Sequence, residues 1–174
     1  MTKGLIHIYT GDGKGKTTAS VGISVRAKSR GLRTMFVQFF KEKIAGSEIS
    51  TLQNIGIDTL IFDEVKSPFF NPDIDKSRLR AEALKALAQM KDVFAREDYD
   101  LIVLDEFICL ISEGVLAEEE AAGFLLAKPS GLELVLTGKG ATQGIIDIAD
   151  YVTDMKNIKH PYERNLGARK GIEF

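Results

Sequence analysis

The residues from Thr10 to Thr18 read Thr-Gly-Asp-Gly-Lys-Gly-Lys-Thr-Thr, a run able to hold a triphosphate. Glycines at 11, 13 and 15 let backbone N–H groups converge on phosphate oxygens. Lys16 supplies a cation for the outer phosphates, and the Thr17 hydroxyl can ligate Mg²⁺ or Mn²⁺. A helix opening at Lys16-Thr17-Thr18 adds the partial positive charge of its N-terminus. One letter departs from the G-x-x-x-x-G-K-[ST] pattern: Thr10 stands where the first glycine falls, and Gly11 follows it. The loop is therefore expected to wrap its phosphates in its own way. The ATP-binding set is Thr10, Gly11, Asp12, Gly13, Lys14, Gly15, Lys16, Thr17 and Thr18. Within it, Lys14 either reaches a phosphate or is solvated.

A loop of this kind that uses a divalent cation has a carboxylate at the end of a neighbouring apolar strand. Two segments qualify, Leu60-Ile61-Phe62-Asp63-Glu64 and Leu101-Ile102-Val103-Leu104-Asp105-Glu106. The second is the longer and wholly apolar before its acids, as a strand beside the loop should be, and is favoured. Asp63 and Glu64 are read as the exit of a strand into solvent. The expected metal set is Thr17, Asp105 and Glu106. Thr137-Gly138-Lys139-Gly140 also follows an apolar strand, so Lys139 either approaches the phosphates or sits in a plain strand-to-helix turn.

The elements that must position these residues alternate. Leu5–Tyr9 reads as a buried strand. Thr17–Arg30 reads as a helix stopped by Gly31. Further strands are expected at Thr34–Phe40, Thr59–Phe62, Leu101–Leu104, Leu134–Thr137 and Tyr151–Met155. A polar segment covers Lys41–Glu48 and a loop covers Lys66–Pro72. A long helix begins at a cap on Asp73 or Asp75 and reaches about Glu97, with Leu79, Ala83, Leu84, Leu87, Met90, Val93 and Phe94 at helical spacing. Ala117–Ala127 and Gly144–Ala149 are the remaining helices, and a polar tail runs from Lys156 to Phe174. The expected architecture is α/β: one P-loop NTPase-like domain over 1–174, with a mostly parallel sheet of about six strands and helices on both faces.

The 174 residues are 44% hydrophobic and carry a formal charge of −2. That balance gives no general attraction to nucleic acid or acidic membranes. No apolar run approaches the roughly 18 residues that span a bilayer, and no signal-peptide layout opens the chain, so a cytoplasmic location is expected. The single cysteine, Cys109, excludes an intramolecular disulfide and reads as a small core residue rather than a reactive thiol. His7 reads as a packed core residue inside the first strand, and His160 lies in the tail; their positions suggest no metal cluster. Neither a G-x-S-x-G nor an H-R-D motif occurs. A triphosphate site without a protein nucleophile leaves water or a strongly nucleophilic second substrate as the attacking group.

These segments together resemble the P-loop-type corrinoid adenosyltransferases. The resemblance is carried by Thr10–Thr18, Val37-Gln38-Phe39, Val103-Leu104-Asp105-Glu106, Leu136-Thr137-Gly138-Lys139-Gly140, and the ending Lys159-His160-Pro161-Tyr162 with Ala168-Arg169-Lys170-Gly171-Ile172-Glu173-Phe174. It implies that cobalt(I) of a reduced corrinoid, cob(I)alamin or a cobinamide-type precursor, attacks C5′ of ATP and that triphosphate leaves whole. Such a nucleophile needs no protein base. The resemblance further implies Lys16, Thr17 and Glu106 as catalytic residues, with Glu106 the metal-associated acid in preference to Asp105. It adds Arg26 and Lys139 as nucleotide contacts, and it implies a homodimer served by a reductase that supplies cob(I). Three features depart from the family pattern. Only Met1 to Gly4 precede the first strand, where some members carry a covering helical extension. Phe69 and Phe70 stand where members carry Phe-x-Trp near the corrin. Lys139 replaces the usual arginine and loses its bidentate fork. The rival readings are a P-loop ATPase or kinase, which would yield ADP rather than triphosphate, and a regulatory module that binds ATP without turnover.

Overall fold

The computed structural model describes residues 3–40, 48–68, 71–164 and 166–172. Six strands form one sheet: β1 (Ile6–Thr10), β2 (Thr34–Gln38), β3 (Asp58–Ile61), β4 (Leu101–Asp105), β5 (Glu133–Thr137) and β6 (Tyr151–Asp154). The spatial order is β3-β2-β4-β5-β1-β6. Every pairing is parallel. Parallel neighbours need crossovers, and helices supply them: α1 (Lys16–Ser29), α2 (Glu48–Asn54), α3 (Lys76–Arg96), α4 (Phe107–Ser112), α5 (Glu118–Leu126) and α6 (Gln143–Asp147). The α/β class and the parallel sheet are as expected from the sequence.

β4 shows how the strands build two cores. All five of its residues are buried, and alternation sends Ile102 and Leu104 to one face and Leu101 and Val103 to the other. The first face packs on α3, α4 and α5 through Met90, Phe94, Phe107 and Phe124. The second packs on α1 and α2 through Ala27, Ile49 and Leu52. A strand buried on both sides reads as continuous apolar sequence, which is why Leu101–Leu104 is conspicuous. β6, at the sheet edge, is exposed along its whole length.

The alternative caps of α3 resolve to Asp75, whose carboxylate accepts from the N–H groups of Ser77 and Arg78 at 2.8 and 3.2 Å. The second strand stops at Gln38 rather than Phe40, because Phe40 takes a φ of 54° and leaves the ladder. The third spans Asp58–Ile61, one residue earlier than expected. Two helices were not expected. α2 begins at Glu48, the last residue of the segment read as polar; residues 41–47 lie outside the described residues. α4 is almost wholly apolar, and six residues with Phe107, Ile108, Leu110 and Ile111 all buried carry no helical period to read. His7 is half-buried, not a core residue: its ring stacks on Tyr151 at 4.7 Å and its Nε2 meets Glu133. Among the described residues, no helix is long and apolar enough to cross a membrane.

Candidate nucleotide site at the carboxyl ends of the strands

β1 delivers the chain into the loop and α1 takes it out. Gly15 precedes the helix at φ 119°, a conformation that favours glycine. Gly11 shares that demand at φ 98°, and Gly11 and Gly13 both answer a second one, close approach. A Cβ on Gly11 would fall 2.2 Å from Asp154 Oδ1, and one on Gly13 would fall 2.5 Å from the Met155 carbonyl. The loop therefore rests on the end of β6: Gly13 N–H donates to Met155 O at 2.6 Å, and Met155 N–H donates to Thr10 O at 2.9 Å. Thr10, buried where a glycine usually stands, accepts from Ala141 N–H at 3.2 Å and ties the loop to the β5–α6 connection.

Lys16 curls into the loop, its Nζ donating to Gly11 O at 2.7 Å and Gly13 O at 2.8 Å. The first turn of α1 holds no acidic residue, so the positive end of the helix is not offset there. Thr17 turns its hydroxyl toward Asp105, 3.3 Å from Oδ2. Thr18, next along, is exposed.

Asp105 is fully buried and held from both flanking strands. Thr137, at the end of β5, donates to Oδ1 at 2.7 Å, and Gln38, at the end of β2, donates to Oδ2 at 3.3 Å. The Thr137 oxygen in turn accepts from Glu106 N–H at 2.9 Å, so one hydroxyl fixes both acids. Glu106 sits at φ 63°, a left-handed conformation costly for a side-chain-bearing residue. Its Oε2 accepts from Cys109 Sγ at 2.9 Å. Burial, followed by the Glu106 charge, pushes the Cys109 thiol up to about 12. Cys109 is thus a half-buried proton donor, neither the core filler expected nor a reactive thiolate.

A hard divalent cation prefers oxygen ligands, and a buried carboxylate facing a hydroxyl at a helix N-terminus fits Mg²⁺ or Mn²⁺. Of the expected metal set, Thr17 and Asp105 face each other there and could hold it, while the Glu106 carboxylate is bonded to Cys109. Among the described residues, no group of three or more His, Cys, Asp or Glu comes together as a metal cage. The competing acids go elsewhere. β3 lies at the sheet edge, and Glu64 is exposed and paired with Arg78 at 3.4 Å.

The other sequence-derived residues divide. Lys139 faces the loop but is taken by Asp12 at 2.7 Å across an exposed gap. That pair lowers the Asp12 pKa and raises that of Lys139. The two rim a cleft of about 590 Å³ with Thr10, Asp154 and Lys156. Lys14 points to the tail, donating to Ile172 O at 3.1 Å. Arg26 is not brought to the loop. It lies about 15 Å along α1 from Lys16 and lines a separate cleft of about 750 Å³ with Arg30, Arg33 and Leu132, at the amino ends of the strands. Phe69 and Phe70 fall outside the described residues. Gln38, Glu48, Thr137 and Cys109 were given no role from sequence. For Thr137 a signal existed, as the polar last residue of an apolar strand, and Gln38 was legible as a polar residue inside an otherwise largely apolar run.

A parallel sheet whose first strand feeds a glycine loop and helix, with a buried acid facing the helix's threonine, defines a P-loop nucleotide-binding protein. The family model described as ATP:corrinoid adenosyltransferase BtuR/CobO/CobP matches residues 2–174. A corrinoid adenosyltransferase of Sinorhizobium sp is 34% identical over 173 residues, covering 99% of this chain and 81% of that protein. Corrinoid adenosyltransferase CobA of Salmonella typhimurium is 30% identical, covering 99% of this chain and 86% of that protein. The corresponding Pseudomonas aeruginosa protein is also 30% identical, with 99% and 84% covered. The chain belongs to the ATP:corrinoid adenosyltransferase family, a family of enzymes, and the ATPase, kinase and regulatory readings are not favoured.

Proposed function

We propose that this protein transfers the 5′-deoxyadenosyl group of ATP to the cobalt of a reduced corrinoid, in the making or salvage of adenosylcobalamin. The observation that carries the reading is the combination at the loop. Lys16 and the Thr17–Asp105 pair form a grip for phosphates, while the neighbouring thiol, Cys109, is held protonated. The site is equipped to stabilise a leaving group and leaves the attack to the second substrate. In the transfer, the cobalt(I) electron pair forms the Co–C5′ bond. The C5′–O bond breaks with its electrons moving to the triphosphate, and cobalt passes formally from +1 to +3.

The chain's residues then have definite tasks. Loop N–H groups and Lys16 bind the triphosphate and stabilise the charge that develops on it. Release of Lys16 from the Gly11 and Gly13 carbonyls frees its ammonium for the phosphates. A divalent cation bound at Thr17, Asp105 and Glu106 would supply further neutralisation of that charge. Holding the sugar carbon in line is the remaining requirement; Lys139 is proposed for the nucleotide and Phe69 and Phe70 for the corrin, while Arg26, at the amino ends of the strands, is left without a part in it. A homodimer and a separate reductase that delivers cob(I), acting in the cytoplasm, complete the reading.

The test is an oxygen-free assay with ATP, Mg²⁺ and chemically reduced cobalamin or cobinamide. The expected products are the adenosylated corrinoid and an equimolar amount of triphosphate. ADP as the product, or no cobalt–carbon bond with either corrinoid, would overturn the proposal.

A further inference from the structure

Gln38 stands opposite Asp105 in the β2–β4 register and is almost completely buried. Its side-chain nitrogen donates twice, to Asp105 Oδ2 at 3.3 Å and to Glu48 Oε1 at 3.1 Å. An amide nitrogen has two protons and no lone pair to offer. With a carboxylate on each side, the flipped amide would set its oxygen against two negative charges. The orientation of Gln38 is thus dictated by its two partners. Glu48 opens α2 and joins no metal-holding cluster with Asp105 and Glu106. Among the bonds described, its route to Asp105 is the Gln38 amide.

The oxygen that Gln38 holds, Oδ2, is the one that faces the Thr17 hydroxyl. Fixing Oδ2 fixes the oxygen available beside Thr17. We propose that Gln38 is a positioning residue for the metal end of the site, and that Glu48 is the group that orients Gln38. The relay Glu48–Gln38–Asp105–Thr17 links the start of α2 to the start of α1 through the ends of two adjacent strands. This inference rests on the proposal that a divalent cation binds at Thr17 and Asp105.

The relay is tested by ATP affinity without corrinoid, titrated with and without Mg²⁺, on wild type, Gln38→Met, Glu48→Ala, Glu48→Gln and the Gln38→Met/Glu48→Ala double variant. Methionine keeps the volume of Gln38 and removes both donors. Gln38→Met is expected to lose about tenfold of the Mg²⁺-dependent gain in affinity while metal-free affinity stays within about twofold. Glu48→Ala is expected to lose about three- to tenfold of the same gain, and the double variant no more than Gln38→Met alone, because the two act in series. Glu48→Gln still accepts from Gln38 and is expected to retain the gain. Full retention of the gain in Gln38→Met, equal loss with and without Mg²⁺, or additive losses in the double variant would overturn the relay alone. Wild type with no Mg²⁺-dependent gain would overturn the metal site as well. Glu48 is only half-buried, so its variants keep the test decisive should Gln38→Met fold poorly.

Discussion

Asp63-Glu64 and Asp105-Glu106 are the same dipeptide at the end of an apolar run, and they meet opposite fates. β3 is the edge strand and has β2 alone as a neighbour. β4 is central, with β2 on one side and β5 on the other, and each neighbour ends in a polar residue that reaches the Asp105 carboxylate. A buried charge is tolerable when hydrogen-bond donors surround it, and a central strand has two flanks from which to supply them. The difference shows that an acid becomes part of this site through the strands beside it, more than through the residues next to it in sequence.

The sharpest way to break the comparison is to truncate each acid. Asp105→Ala is expected to lower kcat at least a hundredfold and to destabilise the fold by about 2–4 kcal/mol, since the Thr17, Gln38 and Thr137 donors lose a buried partner. Asp63→Ala is expected to leave activity within about twofold. Steady-state kinetics and denaturant unfolding decide it, and similar losses for both would remove the distinction. Beside the second acid, Cys109, its thiol pushed up to about 12, is expected to react with iodoacetamide at pH 8 about a thousandfold more slowly than an ordinary free thiol. Its labelling rate should keep rising about tenfold per pH unit past about pH 9, where that of an ordinary thiol levels off; ready labelling at pH 8 would show that Glu106 and burial do not hold the proton. Lys16→Ala is expected to weaken ATP binding about ten- to a hundredfold, measured by calorimetric titration, and unchanged affinity would remove the lysine from the phosphate grip. The smallest effect concerns the backbone of the second acid. Glu106→Gly is expected to reduce activity about tenfold yet not lower Tm, because glycine accepts φ 63° without strain. An equivalent gain or loss at Glu64 would mean that the strain at Glu106 is unrelated to the site.

Much of this site was legible in one dimension. The loop, its lysine and threonine, and the choice of Asp105-Glu106 over Asp63-Glu64 follow from local pattern, since glycine spacing and the length of an apolar run are local properties. Thr137 was visible as a polar residue closing an apolar strand and Gln38 as a polar residue within one, but their aim depends on strand order, and β2-β4-β5 is not written in any one segment. α4 was hidden because a short apolar run has no period. The position of Arg26 was hidden because resemblance assigns a residue to a ligand without saying how far along a helix it stands. The departure at Thr10 looked like a local substitution, and its partner, Ala141 N–H, lies 131 residues away in the chain.

The attachment of the loop to the segment after β6 has a consequence for anyone moving parts between proteins. Thr10–Thr17 is not a self-contained cassette. The Gly11 and Gly13 backbone is pressed against Asp154 and Met155, and the Gly13 amide is already committed to the Met155 carbonyl. Grafting the octapeptide onto another parallel-sheet scaffold would transfer the letters and leave the shape behind. The transplantable unit is the loop together with the strand at the edge of the sheet, two pieces more than a hundred residues apart that behave as one.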